Sequence, residues 1–101
     1  MRILVFFDLP SVSNSEKRAY RGFVKALQKR GFVRIQESVF AKLSKNQTDV
    51  DLTLESLNKV VPKDGCIRAL TITETQFSKT KFLLGSIDTD VIITYEKVIK
   101  L

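Results

Sequence analysis

Two periods of apolar residues alternate along this chain. Residues 2–8, "RILVFFD", contain the unbroken apolar run Ile3 to Phe7 and read as a central strand buried on both faces. The run stops on Asp8 and, after Leu9, on Pro10. The following "PSVSNSEKRAYRGFVKALQKRG" changes period, with Tyr20, Phe23, Val24 and Leu27 on one helical face. Ser13 with Glu16 three residues later predicts a capping box and a helix starting near Asn14, and Gly31 predicts its end. "FVRIQESVFAKL", residues 32–43, returns to period two, with Val33, Ile35, Val39, Ala41 and Leu43 sharing one parity and Glu37 interrupting it. That is long for one strand, which predicts a bend or two strands divided near Glu37-Ser38. A second helix is expected from about Thr48 to Val61, with Val50, Leu54, Leu57 and Val61 on its apolar face. "PKDG" then reads as a turn, "CIRALTITE" as a strand, "KFLLGS" as a short strand, and "VIITYEKVI", residues 91–99, as a last strand after the loop "SIDTD".

This order predicts an α+β fold: a ferredoxin-like split βαβ sandwich with extra C-terminal strands, forming one domain over residues 1–101. Two amphipathic helices cover one face of such a sheet. The other face needs a cover, and the simplest is a second copy of the chain, with strand 91–99 pairing onto the partner subunit. A homodimer is therefore expected.

Composition narrows the chemistry. The chain has 101 residues, 44% of them apolar, which suits a single folded domain. Lys and Arg outnumber Asp and Glu by 17 to 11, for a net charge of +6. Part of that excess lies in the first helix, where Lys17, Arg18, Arg21, Lys25 and Lys29 form an arc away from the apolar face, with no acid among residues 17–36. Such an arc is either a solvated helix face or a stripe that tracks phosphates. Arg2, Arg34, Lys42 and Lys45 add further positive charge. There is no Gly-rich phosphate loop, no zinc-finger spacing and no aromatic RNA-recognition string. Cys66 is the single cysteine, so no internal disulfide forms; opening an apolar strand, it reads as a small buried hydrophobe. The first apolar run is too short for a secretory leader and no stretch reaches membrane-spanning length, so a cytoplasmic protein without a membrane partner is expected.

The chain has no histidine, which removes histidine acid–base catalysis and histidine metal sites. Hydrolysis would then rest on a carboxylate or a metal-bound water, and this directs attention to Asp8. A carboxylate at the tip of a central strand either shapes a turn into Pro10 or binds a ligand. Twofold pairing could bring two copies of Asp8 together, a repulsion that a hard divalent cation such as Mg²⁺ relieves.

"ILVFFDLP", "EKRAYRGFVKALQKRGF", "QESVF", "LTITETQF" and "FLLG", in this order, resemble the small CRISPR-associated adaptation protein family, the ferredoxin-like partner of the CRISPR integrase, also described as a CRISPR-associated endoribonuclease. The resemblance implies a homodimer that bridges two integrase dimers and holds a short double-stranded DNA, the prespacer, for insertion into the array. It also implies a Mg²⁺-dependent nuclease on RNA or duplex DNA, with Asp8 as the metal and catalytic residue. Ser11 stands near the family's small polar residue after the aspartate, Ser38 matches the serine of "Q-x-S-V-F", and Arg18 matches a basic position on the first helix. With Lys17, Arg21 and Lys25 it makes the candidate nucleic-acid stripe. Three readings follow: a scaffold for spacer acquisition, a metal-dependent nuclease (including a toxin-like RNase), and an interaction module without nucleic acid. The single Asp8 and the missing histidines favour the scaffold, and the +6 charge disfavours the third reading.

Overall fold

A computed structural model describes residues 1–86 of the chain. The elements are β1 (Arg2–Asp8), α1 (Asn14–Lys29), β2 (Val33–Gln36), β3 (Val39–Leu43), α2 (Gln47–Asn58), β4 (Cys66–Ile72) and α3 (Glu74–Ser78). The strands form one antiparallel sheet in the order β2-β3-β1-β4. This is the split βαβ arrangement: each βα unit places its strands either side of a strand from the other unit. The continuous apolar run of β1 explains its interior position, with β3 on one side and β4 on the other.

Alternation along β1 divides its side chains between two faces. Ile3, Val5 and Phe7 point into a core shared with Phe23 and Leu27 of α1, Phe40 of β3, and Val50 and Leu57 of α2. Burying side chains of this size contributes about 1.5–3 kcal/mol each. Phe7 packs edge-on against Phe23 and Tyr20, with ring centroids 5.1 and 5.8 Å apart, and stacks on Phe40 at 5.9 Å. These contacts lock β1, α1 and β3 together one residue before Asp8. The second face carries Leu4 opposite Ala41 and Leu70, and Phe6 opposite Val39 and Arg68.

Local signals act where the pattern places them. Ser13 caps α1: its Oγ accepts the Glu16 N–H at 3.2 Å, and the Glu16 carboxylate accepts the Ser13 N–H at 2.9 Å. Gly31 follows the cap residue Arg30 with φ +88°, a conformation suited to glycine. The stretch 32–43 divides at Glu37-Ser38, with a register shift between Arg34 and Gln36.

Four expectations are corrected. Helix α2 ends at Asn58, leaving Val61 43% exposed, while Thr53 turns inward and its hydroxyl accepts from Lys42 Nζ at 3.3 Å. Cys66 is exposed, because β4 lies at an edge of the sheet among the described residues and Cys66 sits on the face away from α1 and α2. "KFLLGS" is not a strand: residues 81–86 have no paired neighbour among the described residues and are exposed, with Leu83 and Leu84 almost fully so. Arg2 does not contribute surface charge. Its guanidinium is buried beneath α3, paired with both carboxylate oxygens of Glu74 at 2.5 and 2.9 Å and lying 4.4 Å from the Phe77 ring centre. Strand 91–99 falls outside the described residues.

Candidate functional site

Helix α1 presents Lys17, Arg18, Arg21, Lys25 and Lys29 to solvent, while Phe23 and Leu27 are buried on its other side. Lys17, Arg21, Lys25 and Lys29 stand at successive spacings of four residues, so their row covers about 18 Å along the helix axis. None of them forms a salt bridge among the described residues; the ion pair there is Arg2–Glu74. The single acid of α1, Glu16, is turned back onto the N-cap, where hydrogen bonds from the Ser13 and Val12 amides hold its carboxyl below the usual carboxylate range. No acid of α1 is therefore left to pair with the stripe. Helix α2 has the opposite sign: Asp49, Asp51 and Glu55 lie along it without a Lys or Arg between Gln47 and Asn58.

Asp8 is the last residue of β1 and remains in the ladder, opposite Cys66. Its side chain is exposed and forms no hydrogen bond among the described residues, so it does not close the turn into Pro10 that the sequence left open. Two contacts fix its backbone. Leu9 is buried just beyond it, and Gly65, at φ +113°, packs so closely that a Cβ there would meet Leu9 Cδ2 at 2.5 Å and the Asp8 carbonyl oxygen at 2.9 Å. Ser38, in the β2–β3 turn, is held alongside. Its carbonyl accepts the Phe7 N–H at 3.1 Å, and the Tyr20 hydroxyl donates to the Glu37 carbonyl at 3.2 Å and lies 3.4 Å from Ser38 Oγ.

Asp8 and Ser38 therefore line one depression of about 330 Å³, together with Phe6, Phe7, Val39, Cys66 and Arg68. Ser11 does not line it and is exposed on the loop before α1. By register, Asp8, Phe6, Cys66 and Arg68 share the second face of the sheet, whereas the α1 stripe belongs to the helical layer on the first. Cys66 and Arg68 were not singled out from sequence as site residues. Their common parity in "CIRALTI" was visible, but their position beside Asp8 depends on the β1–β4 register.

The model of the family described as CRISPR associated protein Cas2 matches residues 1–80. The chain belongs to the Cas2 family. It is similar to the CRISPR-associated endoribonuclease Cas2 of Treponema denticola, 38% identical over 101 residues and covering 100% of both chains. The proteins so named from Acidovorax ebreus and Streptococcus mutans are 40% and 38% identical, and the matches cover 84% and 90% of this chain and 83% and 84% of theirs. The crystal structure of Streptococcus pyogenes Cas2 at pH 6.5 shares the fold, with a TM-score of 0.64 at 21% identity, covering 82% of this chain and 99% of that one. The Cas2 match and the antiparallel sheet thus agree with the α+β class read from the pattern. Among the described residues no helix is long and apolar enough to cross a membrane, and no group of three or more Asp, Glu, Cys or His residues could hold a metal ion.

Proposed function

We propose that the chain is a cytoplasmic, homodimeric DNA-binding scaffold of CRISPR spacer acquisition, bridging integrase dimers on a short duplex. The observation that carries this reading is the separation of binding charge from the candidate carboxylate. Lys17, Arg18, Arg21 and Lys25 are exposed and free of salt bridges among the described residues on the helical layer, whereas Asp8 opens on the other face. A duplex held by the stripe needs nothing from Asp8. Dimerisation is supported by the second face, where Leu4, Phe6, Val39 and Leu43 are half-buried and Leu70 is 51% exposed. A patch of this kind is suited to a second apolar sheet.

A second reading, a Mg²⁺-dependent endoribonuclease, draws on the relatives' printed name and on the convergence of Asp8 with Ser38. The donor set of one chain is thin. Mg²⁺ nevertheless keeps several waters and uses one or two carboxylates plus substrate phosphates, so Asp8 with the Asp8 of a second copy fits such an open site. Bound there, the cation would supply charge neutralisation and a more acidic water. Asp8 would hold it, Ser38 would offer a hydroxyl beside it, and the buried Phe7, whose N–H donates to the Ser38 carbonyl, would tie the strand end to the β2–β3 turn.

One reconstituted integration reaction, run with the cognate integrase and a short duplex, tests both. The scaffold reading expects Asp8→Asn to integrate normally and the Arg18→Gln/Arg21→Gln pair to fail. The opposite pattern, with divalent-dependent RNA cleavage lost in Asp8→Asn, would establish the nuclease as the physiological activity.

A further inference from the structure

Tyr20 is the point at which α1 reaches across to the end of β1 and to the β2–β3 turn. Its ring is half-buried and meets Phe7 edge-on, at a centroid distance of 5.8 Å and an interplanar angle of 61°. Its hydroxyl lies 3.2 Å from the Glu37 carbonyl oxygen and 3.4 Å from Ser38 Oγ. The Ser38 carbonyl in turn accepts the Phe7 N–H at 3.1 Å. The turn is thus held at two points, one on the helix and one on the strand that ends at Asp8.

Counting protons gives these contacts a direction. A hydroxyl has one hydrogen to donate and two lone pairs to accept with. The Glu37 carbonyl can only accept, so it takes the Tyr20 hydrogen. Tyr20 Oη then has only lone pairs left, and the hydrogen between the two hydroxyls is the one on Ser38. We propose that Tyr20 is a positioning residue: by taking the Ser38 hydrogen, it leaves Ser38 Oγ to the Asp8 depression as a hydrogen-bond acceptor. The proposal rests on the nuclease reading of Asp8 and Ser38. An acceptor suits waters of hydration around a cation held by Asp8, because those waters have hydrogens to give; it does not suit phosphate oxygens, which have none. Without Tyr20 Oη the Ser38 rotor is free to turn its hydrogen outward and the turn loses its hold on the helix side. The Tyr20 hydroxyl therefore decides what kind of group the polar atom beside Asp8 can receive.

Tyr20→Phe tests this, since it keeps the ring against Phe7 and removes only Oη. The first readout needs neither metal nor substrate: amide hydrogen exchange of the full chain, followed by NMR. Exchange of the Phe7 amide should quicken several-fold, while the Ile3 and Val5 amides of the same strand keep their rates. The second readout is steady-state cleavage of an oligoribonucleotide in Mg²⁺, with Asp8→Asn prepared alongside as the background. Tyr20→Phe should lower kcat about tenfold at unchanged KM, the cost of a misplaced group. Tyr20→Phe/Ser38→Ala should be no slower than Ser38→Ala alone, because both substitutions remove the same interaction. An unchanged Phe7 exchange rate, an unchanged kcat, or additive losses would overturn the positioning role and leave the nuclease reading standing. A rise in exchange shared equally by all three amides would overturn it too, as a loss of global stability. A wild type no faster than Asp8→Asn would overturn the nuclease reading, and the role of Tyr20 with it.

Discussion

The charge of α1 makes a quantitative prediction for duplex binding. Each protomer presents Lys17, Arg18, Arg21, Lys25 and Lys29. Were both stripes of a dimer to engage fully, about ten phosphates would be neutralised, and log K would fall against log salt with a slope near about −9. Replacing Arg18 and Arg21 by Gln keeps good helix formers and removes up to four contacts per dimer, which flattens the slope by about 3.6. If one stripe engages, the change is about 1.8. Between about 50 and about 200 mM salt, a fully engaged wild type loses about 5.4 decades of affinity and the variant about 3.3. The assay is fluorescence anisotropy across a salt series, using two labelled duplexes of unrelated sequence, with circular dichroism and sedimentation as fold controls. Both duplexes should give the same slope, because phosphate contacts carry no base information. A slope unchanged by the double substitution would show that the stripe is merely solvated. A difference between the duplexes larger than the variant's effect would refute sequence-tolerant binding.

Three further outcomes follow from named contacts. Gly65→Ala places a methyl against Leu9 and the Asp8 carbonyl at a positive φ, so it should lower the thermal midpoint by several degrees and shift the amide resonances of Asp8 and Cys66; an unperturbed spectrum would show that Gly65 does not hold the strand end. Glu74→Gln leaves the Arg2 guanidinium buried without its charge partner and should destabilise by about 3 kcal/mol in urea, whereas replacing both residues by apolar ones should cost clearly less; equal losses would mean that the pair is not coupled. Asp49 is held below its ordinary range first by the Ser44 hydroxyl, 2.8 Å away, so its contribution is present above the unfolded value of 3.8 and is lost as pH falls through the lower folded value. Ser44→Ala should flatten the acid limb of an unfolding curve below about pH 4, and an identical limb would remove Ser44 as the cause.

Much of the fold was legible because its signals are local. The Ser13–Glu16 box, the glycine after α1 and the break at Glu37-Ser38 each depend on residues a few positions apart. Helix α3 also had such a signal: Thr73 and Gln76 form a second capping box. The hydrophobic pattern does not disclose it, because Glu74–Ser78 is too short to show a helical period and adjoins a strand. The misplaced residues share a different origin. Arg2 loses its surface role to Glu74, 72 positions away, and Cys66 is exposed because β4 lies at the sheet edge among the described residues. Asp8 and Ser38 could be named from a resemblance, but their meeting in one depression with Arg68 follows from two antiparallel registers that one sequence does not disclose.

The opposite signs of α1 and α2 have a kinetic consequence. Both helices lie against the same core, one basic and one acidic, so the layer they form is an electric dipole as well as a carrier of net charge. In the field of a polyanion such a body experiences a torque. It turns its α1 rim forward before any contact exists, and fewer collisions are wasted on wrong orientations. Association should therefore slow steeply as ions shorten the range of that field, while dissociation, governed by contacts already made, should respond less. The same asymmetry would confine a polyanion to the α1 side of the layer and keep it away from the α2 side.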